Sequence, residues 1–185
     1  MRTANPYAIM SRRKGRRGGS LFRRFFFTKP VFVGREIDLK LRQSGLDDLS
    51  LGIRDGHTYD ICLHPQGRSV GYVALRLGES AELYYLGHIG YRVDEGFRGH
   101  GYAGEAVRLL LPVFRSHGQK SLVITTDVDN IPSRRTCEKL GCVLERVTPV
   151  PEKYRPLCMM SPAKCRYILF TGEGNEEEEQ RDHAD

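Results

Sequence analysis

The densest group of chemically interesting residues lies at 97–104, where the sequence reads FRGHGYAG. An apolar run typical of a strand precedes this stretch, and apolar residues at helical spacing follow it. Glycines let a backbone approach a ligand closely, and the first turn of a helix directs N–H groups and a positive dipole toward an anion. Arg98 adds a charged donor. The pattern predicts a phosphate-binding loop, with an ordinary glycine-rich turn and a solvated arginine as the alternative.

Three phosphate-binding motifs compete for this stretch. A P-loop requires a Lys followed by Ser or Thr after its last glycine, and the sequence has neither there. A dinucleotide fingerprint is matched literally by Gly99, Gly101 and Gly104, with Asp127 ending the next strand as a ribose-binding acid would. However, the intervening loop Asp94–Arg98 is long for that motif, and the preceding strands read as antiparallel. A Rossmann-type dinucleotide site is therefore kept as a weak alternative.

The last of the three phosphate-binding motifs, [RQ]-x-x-G-x-[GA], is matched by Arg98, Gly101 and Ala103. A separate motif follows downstream at 130–141, where the sequence reads NIPSRRTCEKLG. Together they resemble the coenzyme A loop and the later N-x-x-[AS]…E-K-x-G helix of the GNAT superfamily of N-acetyltransferases. The stretch Gly87–Val93 also resembles small, largely uncharacterised bacterial members of that superfamily. The resemblance is firm from about Gly87 to Gly141.

The resemblance implies acetyl-CoA as co-substrate and direct transfer of its acetyl group to a primary amine, without an acyl-enzyme. The acceptor is a small-molecule or peptide amine that the sequence does not identify. In the family, backbone N–H groups near the end of the fourth strand bond the thioester carbonyl, and the loop and the Asn helix hold the rest of the coenzyme. The implied cofactor-binding residues are Arg92, Val93, Arg98, Gly99, His100, Gly101, Tyr102, Ala103, Asn130 and Ser133.

The catalytic acid and base are harder to assign. The family commonly places a tyrosine acid seven residues after the Asn, and this sequence has Cys137 there. The candidate bases are His88 and Glu82, and the candidate acids are Tyr154 and Tyr167. A hydrogen-bonded structural role is the alternative for His88, and core packing is the alternative for Cys137 and Tyr167. The missing tyrosine also leaves open a non-catalytic module that binds or senses acyl-CoA.

The elements that must position these residues follow from hydrophobic periodicity. Alternation and β-rich runs predict strands at 37–41, 59–63, 70–77, 83–93, 122–126, 143–147 and 165–170. Helical spacing predicts helices at 101–117 and 132–140, the first of which Pro112 should kink or end early. A polar connector is expected at 43–57. The predicted fold class is α+β, a mixed, mostly antiparallel central sheet with flanking helices, as in the GNAT fold.

The length of the chain and the distribution of its charge indicate one domain between two charged tails. The chain has 185 residues and a net charge of +6, which suits one domain with tails. Ten basic side chains and no acid lie in residues 1–35, whereas seven acids and one arginine lie in 171–185. We therefore expect an acetyltransferase domain at 36–170 between a disordered basic extension and a disordered acidic tail. The near-neutral body gives no sign of a polyanionic substrate.

The compartment and further partners follow from the same composition. The basic arm is a candidate for contact with nucleic acid or the ribosome. No apolar stretch has the length of a membrane span or a signal peptide. The five cysteines include no C-x-x-C pair, so neither a metal site nor a disulfide framework is expected. The sequence predicts a cytoplasmic protein of undetermined oligomeric state.

Overall fold

Apolar side chains at every second position build the central sheet, as Ile37 and Leu39 do in its second strand, where both are fully buried. The computed structural model describes residues 32–172. The strands are β1 (Phe32–Val33), β2 (Ile37–Gln43), β3 (Ile53–Leu63), β4 (Ser69–Gly78), β5 (Ile89–Val93), β6 (Ser121–Asp127), β7 (Val143–Pro149) and β8 (Ala163–Phe170); the helices are α1 (Ala81–Leu86), α2 (Tyr102–Ser116) and α3 (Ile131–Lys139).

The eight strands lie side by side in the order β1-β2-β3-β4-β5-β6-β8-β7. Every neighbouring pair is antiparallel except β5 and β6, which run parallel because α2 carries the chain across between them. The predicted fold class, a mixed and mostly antiparallel sheet with flanking helices, is confirmed. The exceptional parallel pair is the place where the site forms.

The two faces of the sheet are covered differently. Helices α2 and α3 bury the main core on one face, with Leu110, Phe114 and Tyr167 all at most 1% exposed. On the other face lie α1 and a 3-10 segment at Glu152–Cys158. Thr125 of β6 donates to the carbonyl of Tyr85 in α1 over 3.0 Å. The sheet therefore separates a helical core layer from a smaller layer made of α1 and the 3-10 segment.

Helix α1 corrects one prediction, the strand at 83–93. Ser80 caps this helix, since its Oγ accepts a hydrogen bond from Leu83 N over 3.0 Å. Gly87, at φ +77°, ends it. Only Ile89–Val93 is a strand. A short apolar run fits a helix or a strand equally well, and the capping serine decided the outcome here.

Two further boundaries differ from the prediction. Strand β3 begins at Ile53, so the connector is shorter than the predicted 43–57. Irregular pairing between Ile53 and Asp55 disrupts the alternation by which such a strand is recognised. Helix α2 continues through Pro112 to Ser116, so the predicted early end is wrong. Burial of Leu110 and Phe114 on either side of the proline offsets the lost backbone hydrogen bond.

Strand β1 falls inside the stretch predicted to be a basic extension, and it pairs with β2 at Phe32 and Val33. Residues 1–31 of that extension and the acidic tail from residue 173 onward lie outside the described residues. Within residues 32–172, no helix is long and apolar enough to cross a membrane.

Candidate active site

A cleft opens between β5 and β6 because the two parallel strands pair at a single position. Ile89 lies opposite Ile124, and beyond that pair no register joins the strands. The opening encloses about 620 Å³, counting space that is open to solvent. Its walls come from both strands, from α1, from the start of α3 and from the 3-10 segment. They include Gly90, Tyr91, Thr126, Asp127, Asn130, Ser133, Tyr85, Leu157, Met159 and Lys164.

The predicted phosphate loop leads from β5 into α2. Gly99 and Gly101 adopt φ values of +87° and +82°, which favour glycine. A Cβ atom at either position would meet nothing within 4 Å, so the loop borders open space. Gly101 is the N-cap of α2, and no side chain caps this helix. Its first N–H groups are therefore available to an anion.

The other loop residues surround this helix start. Arg98 Nε donates to the carbonyl of Val93 over 3.1 Å, which ties the loop to the end of β5. The rings of His100 and Tyr102 stack with centroids 5.3 Å apart. Arg92 and Val93 lie at the open end of β5, outside the cleft lining, which takes Ile89, Gly90 and Tyr91 from that strand.

Gly104 does not act as a nucleotide-binding glycine. A Cβ atom there would lie 3.9 Å from the side chains of Leu140 and Thr136, an ordinary contact between two helices. The sheet is antiparallel up to β5, and β5 and β6 form its one parallel pair among residues 32–172. The dinucleotide fold needs a doubly wound parallel sheet. The Rossmann-type alternative is therefore wrong.

Asn130 and Ser133 come together with Tyr91 at the wall of the cleft. Asn130 caps α3, since its Oδ1 accepts a hydrogen bond from Ser133 N over 3.2 Å. The hydroxyl groups of Ser133 and Tyr91 share a hydrogen bond of 3.0 Å. Burial raises the pKa of Tyr91, so its phenol stays protonated at all working pH values. The sequence pattern placed Tyr91 on a strand but gave no sign that it faces a cleft.

His88, the predicted base, has both ring nitrogens engaged by the backbone. Its Nδ1 accepts from Val123 N over 2.9 Å, and its Nε2 lies 3.1 Å from the carbonyl of Gly78. The first contact fixes the tautomer, so Nε2 carries the proton and donates. His88 does not line the cleft. The geometry favours a structural role, in which the imidazole, just before β5, links Gly78 of β4 to Val123 of β6.

The buried imidazole of His88 should make folding sensitive to mild acid. Burial lowers the pKa of His88 below its ordinary value of about 6.5. Because the unfolded chain then binds the proton more readily, the unfolding free energy should fall as the pH drops from 7 to 5. Urea unfolding across this range measures the slope, and His88→Gln should flatten it. His100→Gln, at an exposed loop position, is the control and should leave the slope unchanged; equal slopes in all three proteins would contradict the prediction.

The other three catalytic candidates also lie outside the cleft lining. Glu82 sits in the first turn of α1. The ring of Tyr154 stacks on Tyr85 with centroids 4.9 Å apart, behind the cleft wall. Tyr167 is 1% exposed, and its hydroxyl accepts from Arg134 Nε over 3.4 Å. Their catalytic roles stay predictions that this geometry does not favour.

Cys137 occupies the position of the family's tyrosine and is fully buried. A hydrogen bond with Cys142, together with burial, raises the pKa of the Cys137 thiol, which is therefore neutral. This favours core packing over proton transfer. Within residues 32–172, no group of three or more His, Cys, Asp or Glu side chains is placed to hold a metal ion.

One protein family and several solved structures are similar to this chain. The model of the acetyltransferase (GNAT) domain family matches residues 34–143. Similar solved structures include an acetyltransferase of the GNAT family from Bacillus anthracis, 21% identical, with a TM-score of 0.49 over 62% of this chain and 66% of that one. The microcin C7 self-immunity acetyltransferase MccE, solved with acetyl-CoA and AMP, is 25% identical, with a TM-score of 0.49 over 62% and 61%.

The ribosomal-protein-S5-alanine acetyltransferase from Vibrio fischeri is 17% identical, with a TM-score of 0.51 over 64% of this chain and 63% of that one. This likeness shows a shared fold. The chain spans less than two thirds of the length of each of these three neighbours. No curated protein matches the sequence significantly. The family match covers more than half of the chain, and the chain belongs to the GNAT acetyltransferase family.

Proposed function

We propose that the domain binds acetyl-CoA and transfers the acetyl group to a primary amine by direct attack. The observation that supports the proposal is that the cleft and the glycine loop are adjacent. Strands β5 and β6 part beside the glycine loop that opens the uncapped helix α2. A slot through a sheet admits a long thin chain, and an uncapped helix start binds the anionic end of that chain. Membership of the GNAT family supports acetyl transfer.

The side chain of Thr126 supports the fit of such a chain. Thr126 is 4% exposed and lines the cleft, and its Oγ1 has no hydrogen-bond partner within residues 32–172. A buried hydroxyl group without a partner costs free energy. The pantetheine arm of coenzyme A carries two amide groups, either of which matches this unpaired hydroxyl. The cleft thus offers a polar contact where the arm would pass.

In this proposal the loop and the Asn helix hold the coenzyme. Backbone N–H groups of the loop and the guanidinium of Arg98 bind the phosphates. Asn130 and Ser133 contact the arm. The Asn130 cap uses only the Oδ1 atom, and its NH₂ group has no hydrogen-bond partner among residues 32–172. Arg92, Val93, Gly99, His100, Gly101, Tyr102 and Ala103 complete the proposed set.

The proposed transfer of the acetyl group uses backbone groups that line the same cleft. Bound acetyl-CoA supplies an activated acetyl group. Backbone N–H groups of β5 that face the cleft donate to the carbonyl oxygen, on which negative charge develops as the amine attacks. The amine must lose its proton before it attacks. Because His88 and Glu82 lie outside the cleft lining, we propose that water carries this proton to solvent. The C–N bond forms as the C–S bond of the thioester breaks, and coenzyme A leaves as a thiolate that takes up a proton from water.

Steady-state assays test the proposal. The purified protein is mixed with acetyl-CoA and a panel of primary amines, and amine-dependent release of free thiol is followed. Turnover above the rate of coenzyme hydrolysis supports transfer. The second candidate is a non-catalytic acyl-CoA binding module, which the buried Cys137 and the absence of the four catalytic candidates from the cleft lining favour. It predicts coenzyme binding without turnover, whereas failure to bind coenzyme A contradicts both.

Two partner and location proposals rest on the sequence alone. Contact of the basic arm with nucleic acid or the ribosome falls outside the described residues, and salt-sensitive binding that is lost on deletion of residues 1–30 would test it. A cytoplasmic location is proposed because all five cysteines are free thiols, and fluorescence microscopy of a tagged chain would check it.

Substitution of Thr126 by the isosteric Val should separate stability from binding. Removing the unpaired hydroxyl should leave the free protein as stable as before or more stable, by up to about 1 kcal/mol. The affinity for coenzyme A should fall by roughly 5- to 10-fold, the equivalent of one hydrogen bond. Thermal unfolding with and without coenzyme A measures both. Thr126→Ser keeps the hydroxyl and should keep the affinity; equal affinities of all three proteins would contradict the contact.

A further inference from the structure

An ion pair lines the cleft at the end of β6. Asp127 and Lys164 are register partners across β6 and β8, and Lys164 Nζ donates to Asp127 Oδ1 over 2.5 Å. The side chain of Lys164 is only 7% exposed, and that of Asp127 is 26% exposed. Neither residue was assigned a role in binding an acceptor from the sequence, because the pairing joins positions 37 residues apart.

The pair is incompletely satisfied. An ammonium group has three donors, and Lys164 uses one of them within residues 32–172, while Asp127 Oδ2 accepts no hydrogen bond there. Burying a charge is costly unless it is paired and fully hydrogen-bonded. The remaining donors and the free carboxylate oxygen belong to residues that line the cleft. The vacant hydrogen-bonding capacity therefore lies where a ligand would bind.

The pair also lies on the side of the sheet opposite the phosphate loop. Asp127 shares a face of β6 with Thr125, which bonds to α1, whereas Ile124 belongs to the core under α2 and α3. Phosphates bound at the start of α2 would thus approach from one face. The ion pair is reached from the other face, so it does not compete with the proposed coenzyme contacts.

One part of the cleft wall is apolar. It is formed by Leu86, Leu157, Met159 and the ring of Tyr85. Met159 and Met160 both adopt left-handed φ values, +54° and +62°, and they are 56% and 67% exposed. Of the two, Met159 lines the cleft, and strained backbone of this kind clusters at functional sites. Met159, together with Leu86, Leu157 and Tyr85, would cover the carbon skeleton of a bound molecule.

We propose that the Asp127–Lys164 pair is the acceptor subsite and that the acceptor is a monoamine carried on an apolar group. This rests on the proposed acetyl transfer. Asp127 Oδ2 accepts an N–H bond from the amine, Lys164 orients the carboxylate, and the apolar wall contacts the group next to the amine. Among residues 32–172, Asp127 is the one carboxylate in the cleft lining. A polyamine or aminoglycoside needs several carboxylates, so a peptide α-amine with an apolar first side chain fits better.

Acceptors that differ in a single feature test the proposed chemical class of the acceptor. The full-length protein is assayed with two tetrapeptide amides that differ only in the first residue, Leu or Asp, and with spermidine. We expect kcat/KM for the Leu peptide to exceed both others by at least 10-fold. Preference for spermidine or for the Asp peptide would overturn the proposal.

Matched variants test the residues. Asp127→Asn should raise the KM of the Leu peptide by at least 10-fold and leave the Kd of coenzyme A within 2-fold; Lys164→Met should raise the KM similarly. Asp129→Asn, at an exposed carboxylate just after β6, is the control and should change neither value. An unchanged KM in Asp127→Asn with reduced thermal stability would show a purely structural pair and overturn the inference.

Equilibrium binding of the peptide tests the acceptor subsite separately from acetyl transfer, because binding does not require turnover. Calorimetry measures binding of the Leu peptide to protein saturated with coenzyme A. If no amine is turned over but the Leu peptide binds and Asp127→Asn weakens it, acetyl transfer fails and the subsite stands. If acetylation proceeds but Asp127→Asn binds the Leu peptide as the unmodified protein does, only the subsite fails. Absence of peptide binding in every protein overturns the subsite.

Discussion

Replacing Gly101 with Asp is expected to weaken coenzyme A binding by at least 100-fold, about 2.7 kcal/mol. Gly101 is the N-cap of α2, where no side chain now bonds the first N–H groups. An aspartate there would accept those N–H bonds itself and would repel a phosphate. Asp also tolerates a left-handed φ better than most residues do. The variant should therefore fold while losing the anion site.

The matched control is Gly118→Asp, at the other end of the same helix. Gly118 has a similar φ of +71°, and a Cβ atom there also meets nothing within 4 Å. An aspartate at this end opposes the helix dipole and should cost roughly 0.5 kcal/mol of stability. Its affinity for coenzyme A, measured by calorimetry, should be unchanged. If both variants bind coenzyme A as tightly as the parent protein, the anion site is not at the start of α2.

The parts of the fold that the sequence predicted well are those with local signals. The loop at Gly99–Gly101 and the start of α3 at Asn130 depend on glycine φ values and on capping, which neighbouring residues determine. Helix α1 was missed because six residues of apolar character fit a strand as well as a helix. The side-chain bond of Ser80 at its start and the positive φ of Gly87 at its end separate the two outcomes.

The cleft itself could not be read from the sequence. Its existence depends on β5 and β6 pairing at a single position, which is a property of two distant segments. The pairing of Asp127 with Lys164 is also non-local, so no spacing of residues in the sequence predicts it. His88 was considered for catalysis because of its chemistry, but its two backbone partners, Gly78 and Val123, lie on other strands. The chemical type of a candidate site residue was therefore easier to predict from the sequence than its position in the fold.

Gly71→Ala is expected to destabilise the protein by roughly 3 kcal/mol. Gly71 lies in β4 opposite Val93, at the end of β5. A Cβ atom at Gly71 would stand 2.2 Å from the carbonyl oxygen of Arg92 and 3.0 Å from the Cα atom of Val93. Both obstacles are backbone, which cannot rotate away as a side chain does. The two strands would have to separate where β5 forms a wall of the cleft.

The affinity for coenzyme A should therefore fall together with stability in this variant. Urea unfolding and calorimetry at a temperature where the variant is folded measure the two effects separately. Gly96→Ala is the control, because a Cβ atom there meets nothing within 4 Å and the backbone needs no positive φ. Its stability should change by less than about 0.5 kcal/mol. A Gly71→Ala protein that unfolds at the parental urea midpoint would show that β4 and β5 can separate without cost. Lost affinity at full stability would instead show that the cleft depends on the position of β5 more strongly than the fold does.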